Sequence, residues 1–202
     1  MRAVSDTSRL VAERLQESIE VKQAILADGE LLELIHCVAR ECIRALERGK
    51  KILLFGNGGS AADAQHLAAE LIGRYLRERK ALPAIALTTN TSVLTAIGND
   101  YCYEEVFSRQ IDAIGNAGDV AIGVSTSGMS SNVIRALSMA TKKGLITVGM
   151  TGQNGGQMQE AVEYCLRIPS RHTPRIQEAH IAVGHILCEI IEENFSNERH
   201  LS

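Results

Sequence analysis

Five short apolar runs, most of them separated by a helix-length segment, constrain the fold of this chain more than any other feature. They occupy residues 51–55, 84–87, 120–124, 146–150 and 164–168. Each is apolar almost throughout rather than alternating, the pattern of strands covered on both faces of a parallel sheet. Helical patterning fills 60–79, 92–113 (with a break expected near Gly98), 131–143, 156–162 and 174–195. Alternating strand and helix predicts an α/β fold, a parallel sheet with right-handed crossovers. Two further helices come first. Over 5–27, Leu10, Val11, Leu15, Ile19, Ile25 and Leu26 recur at helical spacing; over 30–48, Leu31, Leu34, Ile35, Val38, Cys42, Ile43 and Leu46 form an inner face, and Gly49 is a natural stop. The first helix precedes any strand, so it must dock on the domain or on another subunit. The 202 residues fit one domain with a sizeable core, a helical extension over 1–48 and a sheet core over 50–196, and the polar tail 196–202 is expected to fray.

Composition removes several function classes. The formal net charge of −3 comes without a basic block, and aromatic residues make up only 3%, so neither a phosphate backbone nor stacked bases would find a platform. No apolar stretch reaches the ~18 residues of a membrane span, and the N-terminus lacks a signal-peptide core. The cysteines, Cys37, Cys42, Cys102, Cys165 and Cys188, are odd in number and show no C-x-x-C spacing, which reads as free thiols in a reducing cytosol.

In open parallel sheets ligands bind beyond the carboxyl ends of the strands, so the segments that follow the strands carry the chemistry. After the first comes Gly56-Asn57-Gly58-Gly59-Ser60. A tight turn needs one glycine; three, with Asn57 and Ser60, let backbone N–H groups approach an anion. The spacing is neither G-x-G-x-x-G nor a P-loop, since no lysine follows, which disfavours nucleotides. After the third strand comes Ser125-Thr126-Ser127-Gly128-Met129-Ser130-Ser131. A helix cap needs one hydroxyl residue; this loop has five in seven positions and neither Arg nor Lys, so it suits a phosphate held by neutral hydrogen bonds at a helix N-terminus.

A third group lies on two helices. His66 and Glu70 are four apart and share a face, and the last helix carries Gln177, His180 and His185. Imidazole and carboxylate suit zinc; an amide oxygen is a less usual ligand. Gln177 and His185 are separated by ~12 Å of helical rise, so spacing does not choose between the two histidines, and a second subunit supplying one ligand would relieve the strain. Gly98-Asn99-Asp100, between two helical segments, reads either as a turn or as a recognition element for sugar hydroxyls.

Together these segments resemble the sugar isomerase (SIS) fold and, more closely, the phosphoheptose (sedoheptulose-7-phosphate) isomerases. The resemblance covers nearly the whole chain and rests on GNGGSAADAQHLAAELIGRY (56–75), LTAIGNDYCYEEVFSRQ (94–110), GVSTSGMSSNV (123–133) and TPRIQEAHIAVGHILC (173–188). It implies a three-layer subunit with a five-stranded parallel sheet, assembled through its N-terminal helix into a cytoplasmic homotetramer with active sites at subunit boundaries. It implies one zinc per subunit on His66, Glu70, Gln177 and His185, and so selects His185 over His180. It implies a sugar phosphate held by Asn57, Gly58, Gly59, Asn99, Asp100, Ser125, Thr126, Ser127 and Ser130, with Glu70 and Gln177 also touching it. The activity implied is aldose–ketose isomerisation of D-sedoheptulose 7-phosphate to D-glycero-D-manno-heptose 7-phosphate, which opens heptose precursor biosynthesis for lipopolysaccharide and related glycans. Glu70 and His185 would move the protons. A zinc-bound carboxylate is a weaker base, so those two roles compete. The rival readings are a non-catalytic adaptor like the DnaA initiator-associating protein, which lacks the residues matching Glu70 and His185, and a phosphosugar sensor.

Overall fold

Within the first strand of the computed structural model, Ile52 and Leu54 face one side and Leu53 and Phe55 the other, and all four are buried. Strands of this kind need cover on both faces, and the rest of the chain supplies it. The structure describes residues 6–196; the expected fraying of the tail falls almost wholly outside them. Helices α1 (Asp6–Ala27) and α2 (Gly29–Glu47) precede β1 (Ile52–Gly56), with Asp28 capping α2 by accepting from the Leu31 N–H at 3.0 Å. Then follow α3 (Gly59–Ile72), β2 (Ala84–Ala86), α4 (Thr91–Asp100), α5 (Ser108–Ile114), β3 (Val120–Val124), α6 (Ser131–Lys142), β4 (Ile146–Gly152), β5 (Tyr164–Ile168) and α7 (Thr173–Ser196).

The five strands are all parallel, in the order β2-β1-β3-β4-β5. Two apolar layers cover them. One packs α1, α2, α3 and α7 through residues such as Val21, Val38, Leu67 and Val183; the other packs α4, α5 and α6 through Ile111, Val133 and Leu137, with Phe107 against Phe55 at a 5.5 Å ring separation. Strand order reverses between β1 and β3. The chain leaves β1 for α3 on one face and leaves β3 for α6 on the other, so the two connecting loops diverge from one crevice at the sheet's carboxyl edge.

Three boundaries differ from the sequence reading. The helix expected over 60–79 ends at Ile72. Beyond it the N–H groups of Tyr75, Leu76 and Arg77 donate to the Glu192 carboxylate on α7, and the Arg79 guanidinium donates to the carbonyls of Glu70, Leu71 and Gly73. Tertiary partners thus replace the next helical turn on both sides. The break expected near Gly98 falls later. Gly98, Asn99 and Asp100 form the end of α4, and the chain then passes through a 3-10 turn at Tyr103–Glu105 that delivers Val106 and Phe107 into the core. The short helix expected over 156–162 is a 3-10 turn, Gly156–Glu160, anchored by buried Met158.

Candidate active site

At the crevice the glycine turn after β1 meets the hydroxyl loop after β3. Asn57 and Asn132, the latter in the first turn of α6, exchange amide hydrogen bonds at 2.9 and 2.8 Å, and the Tyr103 hydroxyl donates to the Asn57 amide oxygen at 3.1 Å. The Asn57 side chain is therefore a latch between the two loops. In the hydroxyl loop the Ser125 and Ser130 side chains lie 2.9 Å apart, and the Ser127 hydroxyl accepts from the Met129 N–H. Ser130 sits at the cap of α6 without using its side chain to cap it, which leaves hydroxyls and helix N–H groups together at one end of a 12-residue helix. Behind this loop lies a cavity of about 220 Å³ lined by Thr126, Ser127, Gln153, Asn154, Arg171 and Thr173.

Gly58 precedes α3 at φ +56°, and Gly59 opens the helix. A Cβ added at Gly59 would lie 2.4 Å from the Gln177 side-chain nitrogen, so the missing side chain is what admits the Gln177 amide against the turn. Farther along the same two helices, a Cβ at Gly184 would lie 2.6 Å from Leu67. The contacts ascend together, Gly59 with Gln177 and Leu67 with Gly184, so α3 and α7 run parallel and nearly in register.

That register brings the next pair together. The Nε2 atoms of His66 and His185 are 2.8 Å apart, and His66 Nε2 is 3.3 Å from a Glu70 carboxylate oxygen. Ligand atoms from His66, Glu70 and His185 all lie within 4.8 Å of one another. His180 faces elsewhere. It is buried, its Nε2–H donates to the Thr151 carbonyl at 3.2 Å, and burial pushes its imidazole down to about 4, partly countered by that bond. It stays neutral and fastens α7 to β4. Gln177 is grouped with the glycine turn, and about 10 Å of helical rise separates Gly59 from His66. Asn99 donates to Asp100 at 2.8 Å, and both are exposed; among the described residues no hydrogen bond ties either to the two loops or to the triad.

Two neighbours of the triad escaped the sequence reading. Asp63, one turn before His66, feels the charges of His66 and His185; burial pushes its carboxyl up, and those imidazoles pull it back. Its i−3 relation to His66 was the available signal. Tyr75 lies against the His185 ring at a 5.5 Å centroid separation. No spacing rule marks it, because it lies beyond the end of α3.

Comparison with known proteins accords with this geometry. The SIS domain model matches residues 14–152. The phosphoheptose isomerase of Aneurinibacillus thermoaerophilus is 55% identical over 192 residues, 95% of this chain and 97% of that one. Phosphoheptose isomerase 2 of Campylobacter jejuni is 54% identical over 177 residues, 88% of each chain. The structure of phosphoheptose isomerase GmhA from Neisseria gonorrhoeae is similar at a TM-score of 0.87 and 43% identity, covering 93% of this chain and 99% of that one. This chain belongs to the SIS domain family and, within it, to the phosphoheptose isomerases, enzymes that isomerise a phosphorylated sugar.

Proposed function

We propose that the substrate is D-sedoheptulose 7-phosphate, the product D-glycero-D-manno-heptose 7-phosphate, and the route a proton transfer through an enediol(ate). The observation that carries this reading is the meeting of Glu70 and His185, from helices more than a hundred residues apart, about 10 Å of helical rise from loops rich in glycine and hydroxyl residues.

The phosphate is held first, by Ser125, Thr126, Ser127 and Ser130 and by the backbone N–H groups of Gly58 and Gly59, with the α6 N-terminus adding favourable potential. Asn57 keeps the two loops at a fixed separation. Glu70 removes the proton from the carbon beside the carbonyl and returns it to the neighbouring carbon. His185 moves the accompanying proton at oxygen. Gln177, next to Gly59, orients the sugar chain between the two ends, and Asn99 and Asp100 meet its hydroxyls at a subunit boundary.

The donors of His66, Glu70 and His185 fit a zinc ion. Two imidazole nitrogens lie 2.8 Å apart with a carboxylate oxygen 3.3 Å from one of them, donors of the types zinc takes and close enough to share one ion. In this reading Gln177, which packs against Gly59, would have to turn from the glycine turn toward His66 to complete the set, and zinc, when bound, would polarise the carbonyl and stabilise the developing oxyanion. The exposed Leu10, Val11, Leu15, Ile19 and Leu26 on α1 support assembly through that helix into a homotetramer, and the free thiols suit the cytoplasm.

The test incubates purified protein with sedoheptulose 7-phosphate, with and without a chelator, and follows heptose formation. Glu70→Gln should lower turnover by at least ~100-fold and leave phosphate affinity within a few-fold. Normal turnover by that variant excludes Glu70 as the base. Absence of conversion in the wild type, with tight binding to a replication initiator, establishes the adaptor instead.

A further inference from the structure

We propose that Tyr75 is a positioning residue for His185, held in place by the buried Arg79–Glu192 pair. The inference rests on the reading that His185 handles a proton of the substrate.

The His185 ring has two aromatic neighbours. His66 meets it edge-on at 5.0 Å between centroids and 63° between planes, and Tyr75 lies against it, tilted, at 5.5 Å and 30°. An imidazole has little of its own to fix its second torsion, a broad, roughly two-fold well. Set between Tyr75 and His66, the ring keeps Nε2 toward His66 and Glu70. Without Tyr75 it is free to turn and carry that nitrogen away.

Tyr75 lies in the irregular segment after α3, so something outside that helix must hold it. Glu192 does so from α7, two turns beyond His185 on the same side of the helix. Its carboxylate accepts from the N–H groups of Tyr75, Leu76 and Arg77 at 2.8, 2.6 and 2.8 Å. Burial alone would push this carboxyl up, but the three donors and Arg79 hold it below the usual carboxylate range. The Arg79 side chain is fully buried, its Nε lies 3.3 Å from Glu192, and its other nitrogens donate to the carbonyls of Glu70, Leu71, Gly73 and Lys80. One ion pair thus clamps the end of the helix that carries Glu70 onto the helix that carries His185, with Tyr75 between. Apolar residues of the same volume often stabilise a fold as well as a pair this deeply buried. Placing Tyr75 gives it a reason.

The experiment compares Tyr75→Leu, Tyr75→Phe, Glu192→Gln and His185→Ala for thermal stability, kcat, KM and Co2+ affinity by calorimetry. Outer residues that orient a metal-binding histidine are worth about 10–100-fold in affinity or activity. Tyr75→Leu should therefore lower kcat and Co2+ affinity each by at least ~10-fold with KM nearly unchanged. Tyr75→Phe, which keeps the ring, should restore both to within about threefold of wild type. Glu192→Gln should reproduce the kcat loss, with a lower melting temperature as well. Wild-type kcat and Co2+ affinity in Tyr75→Leu, with His185→Ala inactive, overturn the inference and leave the catalytic reading standing. So does a loss that Tyr75→Phe fails to repair. Full activity in His185→Ala overturns the catalytic reading itself, and the inference with it.

Discussion

Gly184→Ala tests whether the contact between α3 and α7 sets the geometry of the site. An added Cβ would lie 2.6 and 2.7 Å from the two methyls of Leu67 and 3.2 Å from its Cγ. Carbon atoms settle at about 3.5–4.0 Å, so the shortfall is about 1 Å, and it involves the whole head of the Leu67 side chain. Leu67 is buried against the sheet and the void it borders with Gly184 is only about 20 Å³, so the side chain yields in part and a separation of the two helices supplies the rest. In a free helix the substitution would stabilise by about 1 kcal/mol. Overpacking of this kind costs about 1–3 kcal/mol, so the net expectation is a loss of about 0–2 kcal/mol. The functional effect should be larger. His66 precedes Leu67 and His185 follows Gly184, so that separation opens the 2.8 Å approach of their nitrogens, and an error of ~1 Å in a reacting group costs on the order of 100-fold. Urea denaturation and steady-state kinetics measure the two quantities on one preparation. Adding Leu67→Ala, which removes the clashing methyls, should recover part of the lost kcat. A Gly184→Ala protein about 1 kcal/mol more stable than wild type, with unchanged kcat, would refute the reasoning.

Three further outcomes are expected. His180 titrates at about 4 when folded, against an ordinary 6.5; between these values the unfolded chain holds a proton that the native chain does not, so stability falls as pH drops from 6.5 towards 4, by at most about 3 kcal/mol. His180→Gln should flatten that part of the urea midpoint against pH, and an unchanged slope excludes His180 as its source. Leu15→Glu with Ile19→Glu, at positions 62% and 48% exposed, should dissociate the proposed homotetramer in light scattering without unfolding the subunit; a tetramer left intact by both changes would remove α1 from its interface. Asn132→Ala frees the Asn57 amide and should raise KM about tenfold while leaving kcat within about threefold, the loss of one or two hydrogen bonds; an unaltered KM would show that the latch is idle.

The strands were legible because a buried parallel strand is marked by its own residues, Leu53 and Phe55 as much as Ile52 and Leu54. The misplaced helix ends have a common cause. Residues 74–79 are good helix formers, and nothing local reveals that Glu192, more than a hundred residues away, will take their N–H groups. Gly98 suggested a break, yet a helix tolerates glycine for about 1 kcal/mol; the chain turns later, where Val106 and Phe107 have to enter the core. His66 and Glu70 were legible from helical spacing. The partner histidine was not, because distance along a helix ignores direction around it. Five residues separate His180 from His185, about 140° of rotation, so one faces β4 and the other α3. Only the packing of α7 says which is which, and the resemblance to the family had already chosen His185.

The parallel run of α3 and α7 also sets a length. Gly59 and Gln177 lie at the sheet's carboxyl edge with the turns proposed to hold the phosphate, and His66 and His185 lie about 10 Å of helical rise farther on. A substrate gripped at one end and deprotonated at the other must span that interval. An extended chain advances about 1.2 Å per bond, so eight bonds, from the phosphorus of a seven-carbon 7-phosphate to its first carbon, cover roughly 9–10 Å. A five-carbon ketose phosphate is two bonds shorter and falls short by about 2.4 Å. It should still bind through its phosphate, with an inhibition constant within about tenfold of the heptulose KM, yet turn over more than ~100-fold more slowly, because a misplacement above 1 Å removes the near-attack geometry. Competition assays give the first quantity and direct assays the second. Comparable turnover of ribulose 5-phosphate and sedoheptulose 7-phosphate would mean that the two ends of the site do not measure the sugar, and that specificity lies in the hydroxyl contacts instead.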